Sequence, residues 1–209
     1  MSFFKRIFGK GNEETDKSAN DSIEQVKSRS NNVIYPILKP GDWVGLKAGA
    51  ISQTIVGDPK NPQLVIAFGY DTPENFVFLM ARDLENKDPQ KVVGQAFKNL
   101  EAVPSQFVAN QALDGKVLTA SGHDFSSEKI LNKNFMMIAH KLLNTEEILV
   151  SIPRRRCMMV TARSVDEKTL NIFGNLHNNA WLDDSYGNAP IINALFVLKN
   201  GEIDGLINL

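Results

Sequence analysis

Residues 191–209 read IINALFVLKNGEIDGLINL, in which two apolar segments flank Asn200 and Gly201. Both central positions of a type I′ turn need a positive φ angle, which Asn and Gly adopt at low cost. The segment therefore predicts a β-hairpin, with one strand from Ile191 to Leu198 and a second returning through Ile203. Such a hairpin indicates antiparallel sheet in this part of the chain.

Further strands are predicted wherever apolar runs lie between turn signals. The runs at 64–70 and 76–80 are separated by Asp-Thr-Pro-Glu-Asn and predict a second hairpin. Pro36 indicates either an edge position or a strand end for the first strand, because proline donates no ladder hydrogen bond. The remaining predicted strands cover 33–38, 116–119, 148–152 and 157–162.

Two segments between these strands predict helices. The first begins at Asp88 and Pro89, because Asp caps a helix and proline fits the first helical position, and it ends before Pro104. The second is expected to be capped by Asp124 or Ser126. Its apolar face is formed by Leu131, Phe135, Ile138 and Leu142.

The order of elements predicts an α+β fold, with antiparallel or mixed sheet and two main helices packed on one side. Each half of the chain has a helix beside a strand pair, so an arrangement of two similar lobes stays open. Residues 33–209 are predicted to form one domain. Residues 1–32 are predicted to be a flexible basic and polar lead and linker, because residues 11–32 are polar with few large apolar groups.

The composition limits the partners of this chain. Its 209 residues carry a formal net charge of -1, without the basic excess typical of nucleic-acid binders, so no nucleic-acid partner is expected. Cys157 is the only cysteine, which excludes an intramolecular disulfide and a thiolate zinc cluster. No run of about 20 apolar residues and no signal-peptide pattern is present, which favours a cytoplasmic protein.

The first ten residues interleave Phe3, Phe4 and Phe8 with basic residues. As a helix this segment would be amphipathic, and it would suit weak contact with a membrane surface or docking to a partner. The alternative is an unstructured start, because isolated helices this short are marginal in water.

Enzyme signatures are missing from the sequence. It has no phosphate-binding or dinucleotide glycine motif, no nucleophile elbow and no histidine pair at metal-ligand spacing. We therefore predict no catalytic residue, metal or cofactor. An enzyme with a scattered site stays open if His123, Asp124 and Asp183 meet the arginines described next. The alternative places these residues in a cap, a loop and a solvated turn.

Arg154, Arg155 and Arg156 lie between two predicted strands. Guanidinium groups match carboxylate and phosphate geometry, so this segment predicts a site for a small anion or an acidic peptide. The alternative is a solvated hairpin tip whose arginines pair with nearby acids such as Glu146 and Glu147, which contributes little.

Residues 175–188 read NLHNNAWLDDSYGN and predict a long polar loop that carries Trp181 and Tyr186. Aromatic side chains in loops contact partners, although they also cover the edge of a core. Cys157 follows three arginines, whose charges favour a reactive thiolate. Its place at the start of an apolar strand favours an inert core thiol instead.

Several short segments together carry a resemblance to a known family: Tyr35-Pro36, Leu64–Arg82, Ala96–Leu100 with Pro104, Gly122–Leu131, Glu147–Pro153, Pro190-Ile191 and Leu195-Phe196 with Gly201. In this order they resemble the YtpQ-like family of bacterial proteins of unknown function (DUF 1444). The resemblance covers residues 33–209 and implies an uncharacterised cytosolic bacterial protein, and it supplies no catalytic residue. Residues 1–32 stand in place of the longer N-terminal region of that family, and the arginine run is more basic.

The sequence as a whole favours a non-catalytic module that binds a protein or peptide partner. The scattered-site enzyme and the peripheral membrane protein are the alternatives.

Overall fold

The structure is a computed structural model that describes residues 33–72, 75–85, 87–121, 124–186 and 189–209. These residues form two antiparallel sheets and helices that pack against them, which confirms the predicted α+β class. The predictions for Phe3, Phe4, Phe8 and His123 lie outside the described residues. No helix in the described ranges has both the length and the apolar composition needed to cross a bilayer.

The first sheet has the strand order β1-β3-β2, with β4 paired to β3 beyond the end of β2. The first strand lies at a sheet edge, one of the two positions that Pro36 indicated, and the predicted pairing of β3 with β4 is confirmed. A four-residue helix, α1 (Val44–Lys47), follows β1. The strands are β1 (Ile34–Pro40), β2 (Ser52–Asp58), β3 (Asn61–Asp71) and β4 (Phe76–Phe78).

The second sheet has the strand order β10-β9-β7-β8-β6-β5. Its β9–β10 hairpin turns at Asn200 and Gly201, whose φ angles of 52° and 76° confirm the predicted turn chemistry. The strands are β5 (Gln106–Ala109), β6 (Val117–Ser121), β7 (Glu147–Ser151), β8 (Met158–Ala162), β9 (Ala194–Lys199) and β10 (Glu202–Asn208).

Helix α2 (Pro89–Ala102) begins as the sequence predicted. The Asp88 side chain accepts a hydrogen bond from the Gln90 N–H at 3.0 Å. At the other end, the buried Lys129 Nζ donates to the carbonyl oxygens of Leu100 and Glu101 at 2.7 and 3.3 Å. A cation at a helix C-terminus satisfies carbonyls that have no partner within the helix.

Helix α3 (Lys133–Leu143) starts later than predicted, and its cap is Asn132 rather than Asp124 or Ser126. Residues 127–131 form a 3-10 segment. Because that segment has three residues per turn, it shifts the phase of the helix that follows. Phe135, Met136, Ala139 and His140 therefore face the core, whereas Ile138 and Leu142 are 47% and 58% exposed.

Helix α4 (Glu167–Leu182) replaces most of the long loop predicted at 175–188. Asp166 caps it by accepting hydrogen bonds from the N–H and the hydroxyl of Thr169 at 2.9 and 2.8 Å. The Asn-rich middle of this helix has low intrinsic propensity. Burial of Phe173 and His177 supplies the stabilisation that propensity does not.

One apolar core extends across both sheets. Leu38, Ile66 and Phe68 of the first sheet belong to the same cluster as Val150 and Phe196 of the second sheet, and α2 and α3 pack into it. The two predicted helices, α2 and α3, therefore share one side, and α4, which the sequence did not predict, covers the opposite face of the second sheet. Three elements come together where the two sheets meet: the edge strand β1, the 3-10 segment and the turn after β7.

Candidate functional site

The three arginines lie in the turn at 153–157, which connects β7 to β8 and is called the arginine turn below. Its backbone is fixed from two sides. The Ser127 hydroxyl donates to the Arg154 carbonyl at 3.1 Å, and the Ile191 N–H donates to the Pro153 carbonyl at 2.8 Å. Arg156 has a φ of 64°, a left-handed conformation that is uncommon for residues other than glycine and persists where the surroundings impose it.

Arg154 is buried, with 6% of its surface exposed. Its Nε donates to the Ala180 and Trp181 carbonyls at 2.8 and 3.2 Å. Its Nη2 donates to the Trp181 carbonyl and to Asp184 Oδ1, both at 2.7 Å. The Arg154 side chain therefore caps the C-terminus of α4, and its predicted role in binding an anion or a partner stays a prediction.

Arg156 is exposed and forms an ion pair with Asp124. Glu147, which the sequence offered as an alternative partner, pairs instead with Arg163 at 2.8 Å and with Lys199 at 3.8 Å. Glu147 begins β7, and the arginine turn follows the other end of that strand, so the length of β7 separates Glu147 from the three arginines. Exposed pairs of this kind contribute little to stability.

Arg155 is half-buried and lies where the two sheets meet. Its positive charge acts on Lys39 and Asp71 of the first sheet and on Glu128 of the 3-10 segment. Its Nε is buried and has no hydrogen-bond partner among the described residues. A buried donor without a partner costs about 1–3 kcal/mol, so this Nε–H is a position where a ligand or an ordered water would form a stabilising hydrogen bond.

Glu128 is the most unusual side chain at this junction, because its surface is entirely buried. Its Oε1 accepts a hydrogen bond from the Leu38 N–H at 3.2 Å, on the outer edge of β1. Its Oε2 has no partner within the part of the chain that the structure describes. Burial raises the pKa of Glu128 to about 7, although the Leu38 hydrogen bond and the charges of Arg155 and Lys39 oppose this rise.

Lys39 shares the junction and lies against aromatic rings. Its Nζ is 5.6 Å from the ring centre of Trp43 and 5.2 Å from that of Phe78. Burial lowers the pKa of Lys39, and so does the Arg155 charge, whereas Glu128 raises it. Cation–π contacts of this kind hold an ammonium group without a hydrogen-bond acceptor. We call Lys39, Asp71, Glu128 and Arg155 the junction cluster.

A cavity of about 480 Å³ borders the arginine turn on the side of the second sheet that α4 covers. Arg155 and Arg156 line one part of it, and Cys157, Met159 and Ala180 line another. This volume is typical of sites for small molecules or inserted side chains, which combine apolar walls with a few polar groups. Burial raises the pKa of the Cys157 thiol, so it contributes to the wall as a neutral group.

The aromatic residues predicted to contact a partner have different positions. Trp181 lies in the last turn of α4 and gives its carbonyl oxygen to Arg154, while its side chain is half-buried. Tyr186 lies in a 3-10 turn at Asp184–Tyr186. Neither was predicted to be next to a helix terminus, because the polar sequence around them suggested a loop.

The acids proposed for a scattered enzyme site are occupied by local interactions. Asp124 pairs with Arg156, and Asp183 accepts a hydrogen bond from the Ser185 N–H at 2.9 Å. Hydrogen bonds from Ser185 lower the pKa of Asp183, which keeps it a carboxylate. No group of three or more His, Cys, Asp or Glu side chains arranged to hold a metal ion occurs in the described residues.

A buried hydrogen-bond chain joins β7, α4 and the C-terminus. Ser151 Oγ is 2.9 Å from His177 Nδ1, and His177 Nε2 is 3.2 Å from Asn193 Oδ1. A serine, a histidine and an amide in this order also occur in nucleophilic catalysis. Here Ser151 and His177 are both 0% exposed, so a substrate has no route to the hydroxyl, and we assign the chain a structural role.

The sequence did not indicate Glu128 or Lys39 as site residues. Glu128 lies in Ser-Ser-Glu-Lys, a run of polar residues that is typical of a solvated helix start. Lys39 stands in Lys-Pro-Gly-Asp, a turn pattern. The Glu128 carboxyl group is buried because the 3-10 segment packs against the edge of β1. This contact joins residues that are far apart in sequence, so no local pattern could predict it.

Comparison of the chain with protein-family models, with curated proteins and with solved structures found no match. The resemblance to the YtpQ-like family stays a prediction, and the functional argument depends on the chemistry of the site.

Replacement of Glu128 by Gln tests the burial of its carboxyl group. The pKa of Glu128 is higher in the folded protein than in the unfolded chain, so the folded state is favoured when the carboxyl group is protonated. This contribution to the free energy of unfolding is complete below about pH 4.5 and is lost as the pH rises through about 7. Between pH 5 and pH 8 the free energy of unfolding of the wild type should therefore fall by about 2–3 kcal/mol. Glu128→Gln, which has no carboxyl group at this position, should not show this fall. Urea unfolding at both pH values measures this difference, and the exposed Glu85→Gln is the control. Identical pH dependence in wild type and Glu128→Gln would contradict the assignment.

Proposed function

We propose that this chain is a non-catalytic binding module that holds an acidic peptide segment of a partner protein at the arginine turn. The observation that carries the proposal is the cavity beside the turn, where Arg155 and Arg156 meet an apolar wall. A ligand that fits it brings a carboxylate or another anionic group together with an apolar side chain.

The two arginines have different parts in this proposal. Arg156 is 56% exposed and exchanges its pairing with Asp124 for a ligand at little cost, because exposed ion pairs are weak. Arg155 is the stronger candidate, since its half-buried side chain lines the cavity and its Nε has no partner among the described residues. A hydrogen bond from a guanidinium group to a carboxylate is stronger than one between neutral groups.

The wall of the cavity favours an inserted side chain rather than a reaction. Met159 is flexible and polarisable, so it adapts to side chains of different shape. Cys157, whose thiol lines this wall, is kept in its neutral form by burial, which raises its pKa. These features support binding, with the acidic group at the rim and the apolar group inside.

The test is calorimetric titration with the blocked peptide Glu-Leu-Glu-Leu-Glu and with its neutral analogue Gln-Leu-Gln-Leu-Gln. We expect the acidic peptide to bind, and Arg155→Gln to weaken it about tenfold or more, the effect of losing one charge-assisted hydrogen bond. Arg163→Gln is the matched control, because Arg163 is an exposed arginine paired with Glu147 at the other end of β8. Ala180→Leu, which fills part of the cavity, should weaken binding as well.

Two outcomes would overturn the proposal. One is equal affinity for the acidic and the neutral peptide. The other is equal affinity of Arg155→Gln and Arg163→Gln for the acidic peptide. Inorganic phosphate serves as a second probe, and phosphate binding without peptide binding would indicate a small-anion site instead of a peptide site.

A further inference from the structure

We infer that binding of an anionic group at the arginine turn is coupled to the uptake of one proton by Glu128. The inference rests on the proposed function, because it concerns the regulation of the same site. It follows from the position of Glu128 in the junction cluster.

The groups around Glu128 and Arg155 come from three elements besides the 3-10 segment. Strand β1 contributes the Lys39 side chain and the Leu38 N–H, which donates to Oε1. The arginine turn contributes Arg155. Strand β3 contributes Asp71, which interacts with Arg155. On the 3-10 segment itself, Lys129 points to the end of α2 and binds its carbonyl oxygens.

The formal charges of the junction cluster balance when Glu128 is ionised. Arg155 and Lys39 supply two positive charges, and Glu128 and Asp71 supply two negative charges. An anion bound to Arg155 adds a third negative charge in a region of low dielectric constant. Negative groups that are close together in such a region repel one another, and protonation of one of them removes this repulsion.

Glu128 is the group that takes this proton. It is wholly buried, and its Oε2 has no partner in the described ranges, so its ionised form is poorly stabilised. Asp71 is exposed, so its carboxylate keeps more contact with water than that of Glu128, although partial desolvation also raises its pKa. A proton from solvent adds to the Glu128 carboxylate and forms the neutral acid, and the sum of charges in the occupied cluster returns to zero.

Calorimetry of the Glu-Leu-Glu-Leu-Glu peptide in two buffers with different ionisation enthalpies counts the protons taken up. We expect up to about half a proton per peptide at pH 7, where free Glu128 is already half protonated, and an uptake that approaches one proton at pH 8. The affinity should fall by up to about tenfold per pH unit above pH 7. The carboxylates of the peptide stay ionised in this range, since a free Glu has a pKa near 4.3. Glu128→Gln should bind without proton uptake and with an affinity independent of pH.

Glu85→Gln, which removes an exposed carboxylate outside the junction cluster, is the matched control and should retain the proton uptake. Proton uptake that persists in Glu128→Gln would overturn the inference, and so would pH-independent binding by the wild type. In both cases peptide binding that depends on Arg155 leaves the proposed function intact. Failure of the wild type to bind at every pH would overturn the proposed function and the coupling together.

Discussion

The Phe173→Ala variant is expected to lose about 3–5 kcal/mol of its free energy of unfolding, the usual cost of removing a buried Phe side chain. Phe173 is 0% exposed and packs against Leu149, Met159 and Val197 on the face of the second sheet that α4 covers. Its removal leaves a cavity between the helix and the sheet, and few other apolar groups hold α4 in place.

Leu182→Ala is the control for this experiment. Leu182 belongs to the same helix but is 67% exposed, so its replacement should change stability by no more than about 0.5 kcal/mol. Urea unfolding followed by circular dichroism measures both variants. Similar small losses in both would contradict the packing of α4 on this face.

The Arg154→Ala variant is expected to lose about 3 kcal/mol, because it leaves the Ala180 and Trp181 carbonyl oxygens without their donors. It also removes the contact with Asp184 and the apolar packing of the buried side-chain stem. Arg154→Lys should recover only part of this loss, since an ammonium group lacks the fork that reaches both carbonyl oxygens.

Arg163→Ala is the matched arginine for comparison. Arg163 is half-exposed and pairs with Glu147, so its loss should cost less than about 1 kcal/mol. The same urea unfolding measurements apply to all three variants. If Arg154→Ala and Arg163→Ala were equally stable, the role of Arg154 at the end of α4 would be wrong.

The parts of the fold that the sequence predicted are those with strong local signals. The Asn200-Gly201 hairpin and the Asp88 cap each depend on a few neighbouring residues, and both occur in the structure. Strand β2 was missed because its residues are mostly exposed and polar at both ends. Helix α4 was missed because its Asn-rich middle favours a loop, and burial against the second sheet overrides that preference.

The candidate site shows the same division. The arginine turn lies between two strands as predicted, yet its three side chains have three different surroundings. Which arginine caps a helix and which has an Nε without a partner among the described residues depends on α4, β1 and the 3-10 segment, all distant in sequence. A run of identical residues carries no local signal that could separate these roles.

Observation of the arginine Nε–H signals by NMR, during titration with the Glu-Leu-Glu-Leu-Glu peptide, tests the binding site most directly. The Arg155 Nε–H is buried without a partner among the described residues, whereas the Arg154 Nε–H already donates to the Ala180 carbonyl. We expect the Arg155 signal to shift with the peptide and the Arg154 signal to stay in place. A titration that leaves the Arg155 signal unchanged while the peptide binds would contradict the assignment of this site.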